Sequence, residues 1–363
     1  MRSTPETDER ADLMTDILSS SDHQAEQSPL DSLGFDDGAP LLEVKNLHVE
    51  FHTRDGVAHA VNGVSFSLEA GETLGILGES GCGKSVTAQA VMGILESPPA
   101  KIAGGEIRYR GVDLLSLDEK TRRPIRANRI AMIFQDALSA LNPVFTVGWQ
   151  LGEPARKHSG ASRGQARERA VELLDMVGIP AARSRVNDYP HQFSGGMRQR
   201  VMIAMALALE PDVIIADEPT TALDVTVQAQ VMDLLADLQR ERDLGLILIT
   251  HDMGVVADVA DKICVMYAGG AVEQASVYEI YERPAHPYTK ALLESIPRVD
   301  QKGQDLTVIE GLPPSLIARP SGCSFHPRCA FARQRCTDDE PPLYDLPAGR
   351  TSACHYWEEV LDS

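Results

Sequence analysis

The stretch Gly78-Glu79-Ser80-Gly81-Cys82-Gly83-Lys84-Ser85 satisfies G-x-x-x-x-G-K-[ST] at every fixed position. This is chemistry for phosphate groups. Gly78, Gly81 and Gly83 free the backbone to turn its N–H groups inward, and Ser80 lies in the same loop. Lys84 can reach the β- and γ-phosphates of a nucleotide, and the Ser85 hydroxyl can ligand Mg²⁺. Further along, the apolar run Val213-Ile214-Ile215-Ala216 ends in Asp217-Glu218. Asp217 suits holding Mg²⁺ through its water, and Glu218 suits a general base that polarises an attacking water. His251 follows Leu246-Ile247-Leu248-Ile249-Thr250, where it would face the γ-phosphate. Gln135 ends a fourth apolar run, Ile130–Phe134, and can touch Mg²⁺ or the attacking water.

These residues need a scaffold, and the flanking pattern supplies one. Leu74, Ile76 and Leu77 form a strand-like run before the glycines. Val86, Ala90, Val91, Ile94 and Leu95 follow at helical spacing. Strand, loop and helix in that order place a helix N-terminus against the phosphates. The runs before Glu218 and His251 read as buried, parallel-type strands, and residues 226–242 as the helix between them. Upstream, Leu42–Phe51 and Val64–Leu68 alternate apolar and polar, which predicts half-exposed antiparallel strands. Phe51 is either a strand core residue or a platform for an adenine ring.

Residues from about 138 to 200 change to helical character. Ser162-Arg163-Gly164-Gln165 fits a capping box, Ala166, Ala170, Leu173, Leu174 and Val177 share one face, and Gly178 is the expected stop. Ser194-Gly195-Gly196 then opens a second helix, with Ser194 as its N-cap. The chain thus carries two helix starts suited to anions, although one nucleotide needs only one of them from a single subunit.

The whole chain has 363 residues and a net charge of −19, which argues against a nucleic-acid-binding surface. Its longest uninterrupted apolar run, Val201–Leu209, is nine residues, too short to span a bilayer. Residues 1–39 hold ten acids against two bases and read as a disordered acidic tail without a secretory signal. Four of the six cysteines cluster near the C-terminus as Cys323, Cys329, Cys336 and Cys354. In a cytosolic protein disulfides are not expected, so the cluster suggests a metal site. The spacing does not choose the metal, and His326 and His355 keep a Cys₃His zinc site open.

Taken in order, these motifs resemble the nucleotide-binding subunits of ABC transporters. The phosphate loop is followed by Gln135, then Ser194-Gly195-Gly196 as the family's signature, Asp217-Glu218, Thr221–Asp224 and His251. The segments Gln135-Asp136 with Leu141-Asn142-Pro143, His286-Pro287-Tyr288-Thr289 and Gly311-Leu312-Pro313-Pro314 are similar to those of dipeptide and oligopeptide importers. Phe193 and Met197 depart from the usual Leu and Gln of the signature. The resemblance implies an α/β, P-loop (RecA-like) core over residues 41–275 with an antiparallel subdomain and a helical subdomain. A tail over 1–40 would precede it and a small Cys-rich extension over 276–363 would follow. It also implies that Phe51 stacks on adenine, and that Ser194, Gly195, Gly196 and Asp224 meet ATP across a head-to-tail pair. A [4Fe–4S] cluster would sit on the four cysteines. The implied partners are a second, distinct ATPase, two transmembrane permeases and an extracytoplasmic peptide-binding protein, at the cytoplasmic face of the membrane. An importer ATPase for nickel or oligosaccharides, or a soluble ABC ATPase acting on DNA or ribosomes, is the alternative.

Overall fold

A computed structural model describes residues 33–136, 140–221, 223–296 and 309–363. Most of the acidic N-terminal stretch, Ala137 and Ala222 lie outside these residues.

Two sheets organise the body from Phe35 to Ser363. The first is antiparallel: β2 (Gly56–Leu68), β1 (Leu42–Thr53), β4 (Ala100–Tyr109) and β5 (Val112–Asp113), in that order. Leu42, Val44, Leu47 and Val49 of β1 are buried, whereas Lys45 and Asn46 are exposed, as expected for a sheet with one face in the core.

The second sheet has eight strands. At its centre lie β9 (Lys262–Tyr267), β3 (Thr73–Leu77), β8 (Gly245–Ile249), β7 (Val213–Asp217) and β6 (Ile130–Ile133), all parallel. Every residue of β3, β7 and β8 is buried, which is why these segments read as unbroken apolar runs. β10 (Gly270–Ser276) turns back antiparallel to β9, and the sheet continues into β12 (Arg350–Ser352) and β11 (Tyr344–Leu346). Two strands of the C-terminal segment, β11 and β12, therefore share a sheet with the parallel strands.

Helices pack around this frame. The first, α1 (Lys84–Met92), starts at the phosphate loop, and α2 (Glu119–Asn128) precedes β6. A helical group follows: α3 (Val147–His158), α4 (Arg163–Met176) and α5 (Gly195–Ala206). The Ser162 hydroxyl accepts from the Gln165 N–H while the Gln165 side chain accepts from the Ser162 N–H, closing the capping box. Leu151, Ala170, Leu174, Val201 and Ile203 of these helices are buried in the same apolar core as Leu77 and Ile214 of the sheet. Next come α6 (Val225–Arg242), α7 (Met253–Val259), α8 (Val277–Glu282) and α9 (Pro287–Glu294). No helix of the described residues is long and apolar enough to cross a membrane.

Candidate active site

The carboxyl ends of β3, β6, β7 and β8 all open on one cleft of about 440 Å³. Ligands of open parallel sheets bind there because loops diverge at that edge. Ser80, Gly81, Gly83, Lys84 and Ser85 line one side, with Gln135, Glu218 and His251 around them.

The loop's shape depends on its glycines at two points. Gly78 has φ 150°, and a Cβ there would lie 2.2 Å from the Met266 carbonyl oxygen. Gly83 has φ 104°, and its Cβ would lie 2.2 Å from the Ala60 carbonyl oxygen. Neither position tolerates a side chain without moving backbone. Lys84 opens α1 and is only 5% exposed. Its Nζ donates to the carbonyl oxygens of Gly78 at 2.7 Å and Glu79 at 3.1 Å, so the loop itself satisfies the cation.

Ser85 Oγ donates to Asp217 Oδ1 at 3.0 Å, joining α1 to the end of β7. Burial raises the Asp217 carboxyl above the usual range, the Ser85 hydrogen bond pulls it back, and the charge of Glu218 raises it again. An all-oxygen pair of this kind suits a hard cation such as Mg²⁺.

Glu218 leaves the strand with φ 47°, in the left-handed region that non-glycine residues seldom adopt. Its N–H donates to the Ile249 carbonyl, which holds the turn against β8. Three side chains converge on its carboxylate. Gln135 Nε2 donates to Oε2 at 2.8 Å, Thr221 Oγ1 donates to Oε2 at 2.9 Å, and His251 Nδ1 lies 3.3 Å from Oε1. The structure thus brings together Lys84, Ser85, Asp217, Gln135, Glu218 and His251.

Phe51 and the residues expected to meet a partner's nucleotide do not line this cleft. Phe51 is half-buried on β1 and does not line the cleft, whose walls there are Ala60 and Leu316. Ser194 and Gly195 are exposed and also outside the lining. The Ser194 hydroxyl accepts from the Met197 N–H and caps α5. Asp224 is exposed and caps α6 by accepting from the Val227 N–H at 3.0 Å. The two caps belong to one surface, since a Cβ on Gly196 would meet Val227 at 2.5 Å.

Three contributors come from the C-terminal segment, and sequence reasoning assigned none of them to this cleft. Leu316 reaches the cleft from the C-terminal segment, and its carbonyl accepts from the His59 N–H. The Tyr288 hydroxyl accepts from the Glu79 N–H, and Arg328 pairs with the Glu79 carboxylate. Their separations along the chain are 209 and 249 residues.

The four C-terminal cysteines share a neighbourhood. The Cys323 N–H donates to the Cys336 carbonyl, and Cys329, Cys323 and Cys336 all act electrostatically on Cys354. Burial pushes the Cys354 thiol up to about 12 and the Cys329 thiol up to about 11. Among the described residues, however, no three His, Cys, Asp or Glu side chains converge as ligands of a metal ion. His355 has both ring nitrogens engaged, with the Tyr344 hydroxyl and the Asp339 carbonyl, and His326 Nδ1 bonds the Cys323 carbonyl. A zinc site completed by His355 does not fit.

Comparison with known proteins agrees with this geometry. Residues 61–221 match the ABC transporter family, and residues 272–336 match the oligopeptide/dipeptide transporter C-terminal region. The dipeptide transport ATP-binding protein DppD of Bacillus subtilis (strain 168) is 54% identical over 80% of this chain and 86% of its own length. The oligopeptide transport ATP-binding protein OppD of Salmonella typhimurium is 51% identical over 86% of this chain and 93% of its own. Among solved structures, the dimeric bacterial ABC transporter cassette MJ0796 superposes with a TM-score of 0.58 at 30% identity. It covers 65% of this chain and 98% of that one. The sheets and cleft are those of an ABC cassette, which hydrolyses ATP. Identity of about half over four fifths or more of the chain places it in the dipeptide/oligopeptide family of ABC transporter ATP-binding proteins.

Proposed function

We propose that this chain is one of two ATPases that drive dipeptide or oligopeptide uptake through two transmembrane permeases. A peptide-binding protein would deliver the cargo on the far side, and the chain would sit peripherally on the cytoplasmic face. One observation carries the pairing: Ser194 and Gly195 are exposed and lie outside the cleft that holds Lys84 and Glu218. A capped helix start turned to the surface suits the ATP of a partner. Docking of the permeases is supported by an apolar groove beside β6 that includes Ile94, Phe134, Met202 and Met205, with Ile94 46% and Phe134 42% exposed.

In this reading the phosphate loop N–H groups and Lys84 receive the triphosphate. Ser85 and Asp217, with Gln135, would hold Mg²⁺, whose charge offsets that of the phosphate oxygens. Glu218 accepts a proton from the attacking water, and His251 positions that carboxylate and faces the γ-phosphate. Gln135 and Thr221 donate to Glu218 and restrain its orientation.

The four cysteines are proposed to hold a [4Fe–4S] cluster as a structural staple. The soft donor set and its shared, largely buried neighbourhood support this. Iron analysis and absorbance near ~400 nm on anaerobically purified protein test the cluster, and absence of both would remove it.

The transport reading is tested by affinity purification of the tagged chain from detergent-solubilised native membranes. Two multi-span permeases and a second ATPase should co-purify. Recovery alone, or with ribosomes or DNA, would overturn it.

A further inference from the structure

Glu79 places a carboxylate inside the loop that must receive a polyanion. Left alone, that charge would repel the phosphates and work against Lys84. The structure neutralises it from far away. Arg328 Nη1 donates to Glu79 Oε2 at 2.6 Å and Nη2 donates to Oε1 at 2.9 Å, a bidentate pair. The Arg328 side chain is only 5% exposed, so the pair is little screened.

The guanidinium is itself fixed. It donates to the carbonyl oxygens of Glu310 and Ile309 and to the Tyr267 hydroxyl. It follows Phe325, whose ring packs edge-on against Tyr267 and Tyr288 with centroids 5.2 and 5.3 Å away. Residue 79 is tied through its main chain as well: its N–H donates to the Tyr288 hydroxyl at 2.9 Å, and its carbonyl accepts from Lys84. The next two residues, Ser80 and Gly81, are exposed in the cleft. Glu79 is therefore the last anchored point before the part of the loop that meets phosphate.

From this geometry we infer that the C-terminal extension is part of the nucleotide site. Arg328 is a positioning residue: it cancels the Glu79 charge and holds the carboxylate away from the path of the triphosphate. The inference rests on the reading of residues 78–85 as the phosphate loop.

The test is MgATP affinity of the purified full-length chain, measured by calorimetry, with thermal melting by circular dichroism as the folding control. R328Q should weaken MgATP binding ~10-fold, the scale of one uncompensated charge-assisted pair. The double variant E79Q/R328Q should return to within ~3-fold of wild type, because the stranded carboxylate causes the loss. R328K keeps the cation but loses the fork, so ~3-fold weaker binding is expected, and it covers the case in which R328Q does not fold. R328Q or R328K binding as wild type does would overturn the inference, as would a double variant no better than R328Q. K84A separates the two readings. Loss of binding in K84A but not in R328Q removes only the role of Arg328. Unchanged binding in K84A removes the phosphate loop as well.

Discussion

Two helices of this chain start at glycine-rich turns, α1 after Gly83 without a side-chain cap and α5 after Ser194 with one, and they face different worlds. α1 starts after Gly83 with its N-terminus in the cleft, alongside Lys84, Ser85 and the carboxylates of β7. α5 starts after Ser194 on an exposed surface, with Asp224 at the head of α6 beside it. Both are ready for anions, yet only α1 has the cation, the metal-suited oxygens and the restrained Glu218 around it. A helix dipole is thus a generic resource, and the surrounding side chains decide whether it makes a catalytic half-site or a binding half-site. The anchoring also differs. The phosphate loop is tied to Tyr288 and Arg328 of the C-terminal extension, whereas Ser194 is held by the local bond to Met197.

Disabling each helix start separately should give different losses. E218Q should lower ATP hydrolysis by the intact complex ~10²-fold or more while ATP remains bound, on the scale of losing a general base. Single-turnover hydrolysis with retained-nucleotide analysis reads both. S194R puts bulk and charge on the α5 start without touching the cleft. Turnover of the complex should fall ~10²-fold, comparable to losing a transition-state donor, with MgATP affinity of the isolated chain unchanged. Equal loss of affinity in S194R and K84A would erase the distinction between the two helix starts.

A smaller effect concerns what supports the phosphate loop. His286 is buried, and burial pushes its imidazole down to about 3 while its Nδ1 accepts from the Tyr288 N–H. A depressed folded-state value means its stabilisation is present above the unfolded value near 6.5 and is lost as pH falls towards 3. Melting should therefore drop as pH falls from 7 to 5, by ~1 kcal/mol per pH unit below 6.5, with a shallower slope in H286N. Parallel pH profiles for both chains would contradict this. The smallest effect is at the local cap: S162A should cost ~1 kcal/mol in chemical denaturation, with ATP affinity unchanged, because it removes only a capping bond of α4.

Much of this was readable in the chain because the relevant constraints are local. β3, β7 and β8 are buried on both faces and so appear as apolar runs. The phosphate loop announces itself because Gly78 and Gly83 leave no room for a Cβ. The convergence of Gln135, Thr221 and His251 on Glu218 follows from parallel strands that all end at one sheet edge. What stayed hidden depends on tertiary pairing. Nothing near Arg328 states that it will meet a carboxylate 249 residues away, and Leu316 carries no mark of a cleft wall. Phe51 is legible as an aromatic on β1, half-buried and paired in register with Ala58, and its adenine role is read from the sequence alone. The cysteines were legible as a group, and their pattern still does not choose an occupant.

Under the proposed pairing, the cleft is half of a composite site. The most direct measurement is the mass of the E218Q chain mixed with its co-purified second ATPase, by size-exclusion light scattering with and without MgATP. An ATP-dependent pair is expected, and S194R should abolish it while still binding ATP. A pair that forms equally without ATP, or that survives S194R, would contradict it.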